Sequence, residues 1–455
     1  MNKLINSLSL ISILILGSFN SLANIVNLDG SWEGKLMINP EMGLRLVINI
    51  IGSEGENAVI TIDSPDQGAY GIPMQIEYIS SDSLNVGVPQ LMMKYKGKLS
   101  GDSINGDFSQ GPLTLPLNLK PKVSTLNRPQ TPQPPFPYLT EEVTFQSSLD
   151  NTNLYGTLSM PDNNINNTPA VLLVSGSGIQ NRDEEIFEHK PFAVIADYLA
   201  RNGIASLRYD DKGFDKSTGL IPNSTTYENA MDAIGGITFL KEKGFSKIGI
   251  IGHSEGGLIA DMIANNGNLI DFIVELGGPA LTGDSILIYQ NEFLLKDGGL
   301  PEEYVSMYIE AMRGMLNSQK ENNPVAFDET KYAIFSHENL SNPVLAPLAK
   351  NLRDNFSNLA PWLKYFINYD PIIDIKNISI PIIMLYGEND TQVPPSLNVP
   401  VLLNNISGIN IKVYPELNHL MQHSKTGKIH EYADIDETFS IEVLEDIKKF
   451  IQSTK

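Results

Sequence analysis

The 455-residue chain contains no cysteine. That absence excludes a thiol nucleophile, a disulfide framework and a lipidated N-terminal cysteine. No HExxH or comparable ligand spacing appears, and no GxGxxG follows a strand-like run, so neither a metal nor a dinucleotide cofactor is expected. Basic residues are in short supply: 32 Lys and Arg stand against 53 Asp and Glu, a formal net charge of −21. Such a surface repels nucleic acid and anionic membranes, which removes both as partners. Apolar runs of membrane-spanning length are missing too. Leu8–Leu16, behind Lys3, is too short to span and is followed by the small-residue pattern Ser21-Leu22-Ala23. Residues 1–23 therefore read as a secretory signal peptide, with export to the periplasm or medium and no stable membrane insertion.

The length that remains calls for two domains. Over residues 24–122 no helical period is evident, whereas Leu44, Leu46 and Ile48, then Met74, Ile76 and Tyr78, then Leu113, Leu115, Leu117 and Leu119 alternate as half-buried strands do. This predicts a small antiparallel β-domain, a partly closed barrel, with Trp32 as a core plug. Five prolines between Asn127 and Tyr138 predict a semi-rigid extended spacer, placing a linker at 123–140. Residues 141–455 then alternate strand and helix, the pattern of a mostly parallel sheet covered on both faces. An insertion at about 283–369 interrupts that rhythm and reads as helices over Ile286–Lys296, Pro301–Ser318, Pro343–Asn351 and Asn355–Asn368. It is expected to form a cap, and Met307, Met312, Met315, Trp362, Tyr365 and Phe366 are candidates to line an acyl site within it.

The chemistry centres on Gly252-His253-Ser254-Glu255-Gly256-Gly257. A buried-strand run, Ile248 to Ile251, precedes it, and Leu258, Ile259, Met262 and Ile263 follow at helical spacing. GxSxG between a strand and a helix is a nucleophile elbow, with Ser254 at the apex and glycines where side chains would clash. A serine needs a base and an orienting carboxylate, and proteins built on this elbow carry both later in the chain. Asp390 at the end of a strand is the candidate acid, with Glu388 as the alternative. His419, in the loop after the strand Asn410–Tyr414, is the candidate base, with His423 as its competitor. The oxyanion hole requires two N–H groups, assigned to Glu255 and to Ser177 in the loop Ser175–Gly178. Arg182 and Arg208 read as structural ion-pair partners.

SGSGIQNRDE at 175–184, RYDDKG at 208–213, GHSEGG at 252–257, GENDTQVPP at 387–395 and ELNHLMQ at 416–422 together resemble one family. It comprises bacterial serine carboxylesterases of the α/β-hydrolase fold that carry a small β-domain ahead of the catalytic domain. The resemblance covers residues 24–455 and departs from the family at Ser175, where relatives usually have histidine. It implies cofactor-free hydrolysis of carboxylic esters with short to medium acyl chains, acting on a small-molecule substrate. A peptidase or amidase, an acyl thioesterase, and a non-catalytic binding protein on the same scaffold are the alternatives.

Overall fold

A computed structural model describes residues 28–37, 43–52, 58–64, 69–88, 93–110, 113–122, 126–162, 165–219, 224–320 and 326–454. The signal-peptide reading of residues 1–23 lies outside them. The chain divides into two compact units, the first running to Asn127 and including Glu185–Glu188, the second comprising Arg128–Glu184 and His189–Lys455. This division corrects the expected spacer. From Arg128 onward the proline-rich segment is fastened to the second unit: the Arg128 guanidinium donates to the carbonyls of Ala433 and Ile435 at 3.0 and 2.9 Å, and the Gln130 side chain donates to the Phe439 carbonyl at 2.8 Å.

The first unit holds nine antiparallel strands: β1 (Gly30–Met37), β2 (Gly43–Ile51), β3 (Val59–Ser64), β4 (Ala69–Pro73), β5 (Gln75–Ser80), β6 (Ser83–Val88), β7 (Met93–Ser100), β8 (Ser103–Gln110) and β9 (Leu113–Pro121). Their order is β4-β3-β2-β1-β9-β8-β7-β6-β5. The two edge strands are consecutive in the chain, separated by Met74 alone, so one bent stretch forms both edges and the sheet curls into a nearly closed barrel. Leu46, Ile48, Ile50, Leu117 and Leu119 fill it, and Trp32 is buried among them with its indole N–H on the Leu28 carbonyl at 2.8 Å. Met74 points inward, but Ile76 and Tyr78 are exposed, because the bend and a register shift between Ile76 and Tyr78 break the alternation there.

The second unit is built on an eight-stranded sheet: β10 (Leu139–Gln146), β11 (Asn153–Met160), β12 (Ala170–Val174), β13 (Ala205–Tyr209), β14 (Ile248–His253), β15 (Phe272–Leu276), β16 (Ile382–Gly387) and β17 (Asn410–Tyr414). The order is β10-β11-β13-β12-β14-β15-β16-β17, parallel from β13 onward. Period-two alternation sends Ala170, Leu172 and Val174 to one face and Val171 and Leu173 to the other. Helices α2 (Thr226–Lys243) and α3 (Glu255–Asn265) cover the first face, and α1 (Pro191–Arg201) and α11 (Ile441–Ser453) the second. Burial on both faces explains why the central strands β12 and β14 read as predominantly apolar runs. The order reverses beside β12, which opens a crevice at the carboxyl ends of β12 and β14.

The insertion after β15 is helical, comprising α4 (Gly283–Asp297), α5 (Glu302–Gln319), α6 (His337–Leu340), α7 (Leu345–Phe356) and α8 (Pro361–Asn368). The run expected as one helix over Asn355–Asn368 is broken. Pro361 has no N–H to donate and fits the first turn, so α8 begins there and α7 ends at Phe356. The insertion closes on itself where the Gly283 N–H meets the Tyr369 carbonyl at 3.3 Å. Short α9 (Pro371–Ile375) and α10 (Pro395–Asn405) complete the covering.

Beneath the α3–β15 contact lie two carboxyls that are fully buried, Asp261 and Glu275. No donor among the described residues reaches any of their four oxygens. Burial raises both above the ordinary carboxylate range, and their mutual repulsion raises Asp261 further. A proton held between them is the arrangement that satisfies the pair. Folded-state values above the unfolded ones mean stability that is present in acid and is lost as pH rises through and beyond the ordinary carboxylate range. Glu275→Gln supplies a permanent donor, so its melting temperature should exceed that of wild type at about pH 8 and lose the advantage near pH 5. Parallel melting curves of the two proteins across that range would contradict this.

Candidate active site

Four loops at the carboxyl edge of the sheet, together with the residue after β15, build the site. The elbow between β14 and α3 places Ser254 at φ 53° and ψ −117°, a conformation that costs about 1–3 kcal/mol and persists only where the surroundings enforce it. They do so here. A Cβ at Gly256 would lie 2.1 Å from the Val174 carbonyl oxygen, and one at Gly252 would lie 2.2 Å from the Gly256 carbonyl oxygen. Strand, elbow and helix are therefore closer than any side chain permits. The Ser254 N–H donates to the Leu276 carbonyl at 2.9 Å, which ties the turn to β15.

Asp390 follows β16 and His419 follows β17. The structure brings them together: His419 Nδ1 lies 2.6 Å from Asp390 Oδ2, and both residues are buried. Asp390 Oδ1 accepts the N–H groups of Gln392 and Val393, each at 2.8 Å. The carboxylate is thus fixed by two backbone donors while its other oxygen holds the imidazole. An acceptor at Nδ1 places the proton there and leaves Nε2 as the basic nitrogen. The ring rests against Gly277, where a Cβ would meet His419 Nδ1 and Cε1 at 3.1 Å. Gly277 directly follows Leu276, whose carbonyl holds the Ser254 N–H, and the His419 carbonyl lies 3.0 Å from Nε2 of His253, the residue before Ser254. Among the described residues the Ser254 hydroxyl has no hydrogen-bond partner, an open arrangement of the kind that tightens when substrate enters.

The competing residues are engaged elsewhere. Glu388 is exposed. His423 is bonded to Glu437 at 2.8 Å on the surface. His189 is buried between Thr438 and the Tyr432 carbonyl, and burial lowers it to about 4.

Glu255 begins α3, and its N–H is one of the unpaired donors of a helix start. Neither it nor the Ser177 N–H has a partner among the described residues. The loop carrying Ser177 lies against the elbow, since a Cβ at Gly176 would be 3.2 Å from the Ser254 Cβ. Arg182 braces that loop from behind, donating to Asp210 at 3.1 and 3.2 Å through Nε and to Glu142 at 2.6 Å. Arg208 pairs with Asp183.

Three side-chain contacts were not legible beforehand. The Trp362 indole, on α8 of the insertion, donates to Glu255 Oε1 at 2.8 Å, and Thr226 donates to the same oxygen at 2.7 Å. Burial raises the Glu255 carboxyl, and the Thr226, Trp362 and Ser177 donors partly offset this. The insertion therefore reaches the residue beside the nucleophile. Met312 and Met315 do not: both are buried in the helical insertion's own interior. The third contact joins His253 Nδ1 to Glu184 Oε1 at 2.7 Å. The elbow's spelling, GHSEGG, put His253 and Glu255 in view, but nothing in sequence spacing indicated their partners.

Strand order, the reversal beside β12 and the serine elbow after β14 decide the architecture. The second unit has the α/β-hydrolase fold. A family model described as an acyl transferase matches residues 149–285, the part of this α/β-hydrolase unit that carries the elbow. Esterase EstD of Thermotoga maritima is 29% identical over 262 residues, 56% of this chain and 54% of that relative. The match thus spans about half the length of the curated relative. Among solved structures, the Pyrococcus furiosus esterase Pf2001 is similar with 16% identity and a TM-score of 0.44, covering 73% of this chain and 98% of that one. Est1E from Butyrivibrio proteoclasticus, solved with ferulic acid bound, is similar with 17% identity and a TM-score of 0.43, covering 69% and 99%.

Proposed function

We propose that the chain hydrolyses carboxylic esters with short to medium acyl chains through an acyl-serine intermediate. Ser254 Oγ attacks the ester carbonyl while His419 Nε2 takes its proton, and Asp390 steadies the imidazolium that results. The N–H groups of Glu255 and Ser177 receive the developing oxyanion. Collapse expels the alcohol, protonated by His419, and water then repeats the sequence to release the acid. The single observation that carries this reading is the buried His419–Asp390 bond, at the same edge of the sheet as a serine held on a strained elbow. The likeness to an esterase supports an ester as substrate. The likeness to an acyl transferase family favours a second reading, in which acyl-Ser254 passes its acyl group to an alcohol or amine acceptor instead of water. Product analysis with and without added alcohol separates the two.

Ser254→Ala should remove nearly all turnover of p-nitrophenyl esters at unchanged melting temperature, and Asp390→Asn should cost less, about 10²- to 10⁴-fold in kcat. Wild-type rates from purified Ser254→Ala would refute the mechanism. The Trp362–Glu255 contact, which brings the insertion to the residue after Ser254, supports the reading that the insertion bounds the acyl group. Trp362→Ala should therefore change the acyl-chain profile of kcat/KM by about 1–3 kcal/mol across neighbouring lengths while Ser254 still labels with a fluorophosphonate. A profile superimposable on wild type would assign specificity elsewhere. Export belongs to the same proposal, and the intact mass of secreted protein should correspond to a chain starting at Asn24; one starting at Met1 would contradict it.

A further inference from the structure

We propose that the buried His253–Glu184 pair is a positioning clamp that holds the oxyanion loop and the His419 loop in register with Ser254. This rests on the serine-hydrolase reading above.

Three pieces of chain from three different strands meet at this pair. Glu184 Oε1 accepts the Gly176 N–H at 2.6 Å, one residue before Ser177. The same oxygen receives His253 Nδ1 at 2.7 Å, and His253 Nε2 lies 3.0 Å from the His419 carbonyl. A carbonyl only accepts, so Nε2 must carry a proton. With Glu184 ionised, Nδ1 carries one as well, and His253 is an imidazolium. Burial alone would drive His253 toward neutrality; the Glu184 carboxylate outweighs it and the net direction is upward. The backbone of His253 is bonded directly to Ser254. One side-chain pair thereby links the loop after β12, the elbow after β14 and the loop after β17.

Stability alone does not explain the arrangement. Glu184 and His253 are 5% and 7% exposed, and a buried ion pair is often replaceable by apolar residues without loss of stability. Glu184 also sits at φ 50°, a left-handed conformation that a glutamate adopts only under constraint. What the pair supplies is direction. The Gly176 bond orients the peptide next to the Ser177 donor, and the His419 bond fixes the main chain from which the base projects. The other ionisable groups facing His253 are Asp390 and the His419 ring, whose centroid is 4.6 Å away. His253 touches no reacting atom in this scheme, so it is a positioning residue rather than a catalytic one.

The test is a cycle of His253→Ala, Glu184→Ala and the double variant in the full chain. Active sites are counted by fluorophosphonate titration, and kcat, KM and the fluorophosphonate labelling rate are then measured per active site. Misplacing the donors and the base weakens interactions made in the transition state. Each single variant should therefore lose about 10²-fold in kcat, with KM changed by no more than about threefold. Because the two residues act as one unit, the double variant should be no worse than the poorer single. A kcat per active site equal to wild type, a loss confined to KM, or losses that multiply in the double variant would overturn the clamp. A merely structural pair would lower the count of active sites and leave kcat per site unchanged. If the alanine variants do not fold, His253→Gln and Glu184→Gln are measured in the same way, with reduced kcat per site expected and an unchanged value overturning the proposal. Labelling does not depend on the natural substrate, and its rate should fall about tenfold or more in each single variant. Wild type that labels at Ser254 but turns over no ester would remove the ester reading, and the clamp would then stand or fall on that drop in labelling rate. Wild type that does not label would overturn both.

Discussion

Where a side chain on residue 256 would have to sit, the Val174 carbonyl oxygen already is. That close approach of α3 to β12, repeated where Gly252 meets Gly256, is the constraint on which the site depends. It presses the turn between β14 and α3 into a conformation no unconstrained serine would keep, and it leaves the start of α3 open toward the crevice. The sheet supplies the rest of the geometry by its order. With β12 between β13 and β14, the loops that follow β12, β14, β16 and β17 emerge along one edge, each carrying one piece of the candidate machinery. Burial of the strands on both faces holds that edge rigid.

Several carboxyls around the elbow are buried, and they are handled in different ways. Asp390 is kept as an acceptor by two backbone N–H groups and an imidazole. Glu184 takes the Gly176 N–H and His253. Glu255 is bonded by Thr226 and by a tryptophan from the helical insertion. Among the described residues, Asp261 and Glu275 have only each other. The first three couple separate loops and elements to one another, whereas the last pair is a cost carried inside the fold, since both groups favour the protonated state there.

Much of this was readable in the residues. The apolar runs of β12 and of Ile248–Ile251 in β14 give their positions because central strands covered on both faces are predominantly apolar. GxSxG between strand and helix placed Ser254, and the chain order that accompanies this elbow narrowed the acid and the base to Asp390 or Glu388 and to His419 or His423. What could not be read was pairing at a distance. His253 to Glu184 spans 69 positions and Trp362 to Glu255 spans 107, and no periodicity records such a contact. The proline-rich stretch misled for a related reason. Proline content reports local stiffness, but whether a stiff segment hangs free or docks depends on the carbonyls at Ala433 and Ile435 that happen to meet Arg128. Ile76 and Tyr78 alternate correctly and still face outward, because a bend one residue away resets which face is inside.

The central claim is that turnover passes through an ester on Ser254. Mixing the protein with an excess of a p-nitrophenyl ester, quenching in acid within the first turnovers and mapping peptides by mass spectrometry tests it most directly. The account predicts that one peptide, the one containing Gly252–Gly257, gains the mass of the acyl group at Ser254, and that the adduct disappears once substrate is exhausted. Turnover with no acyl adduct on that peptide, together with a stable adduct elsewhere or undiminished turnover in Ser254→Ala, would contradict it.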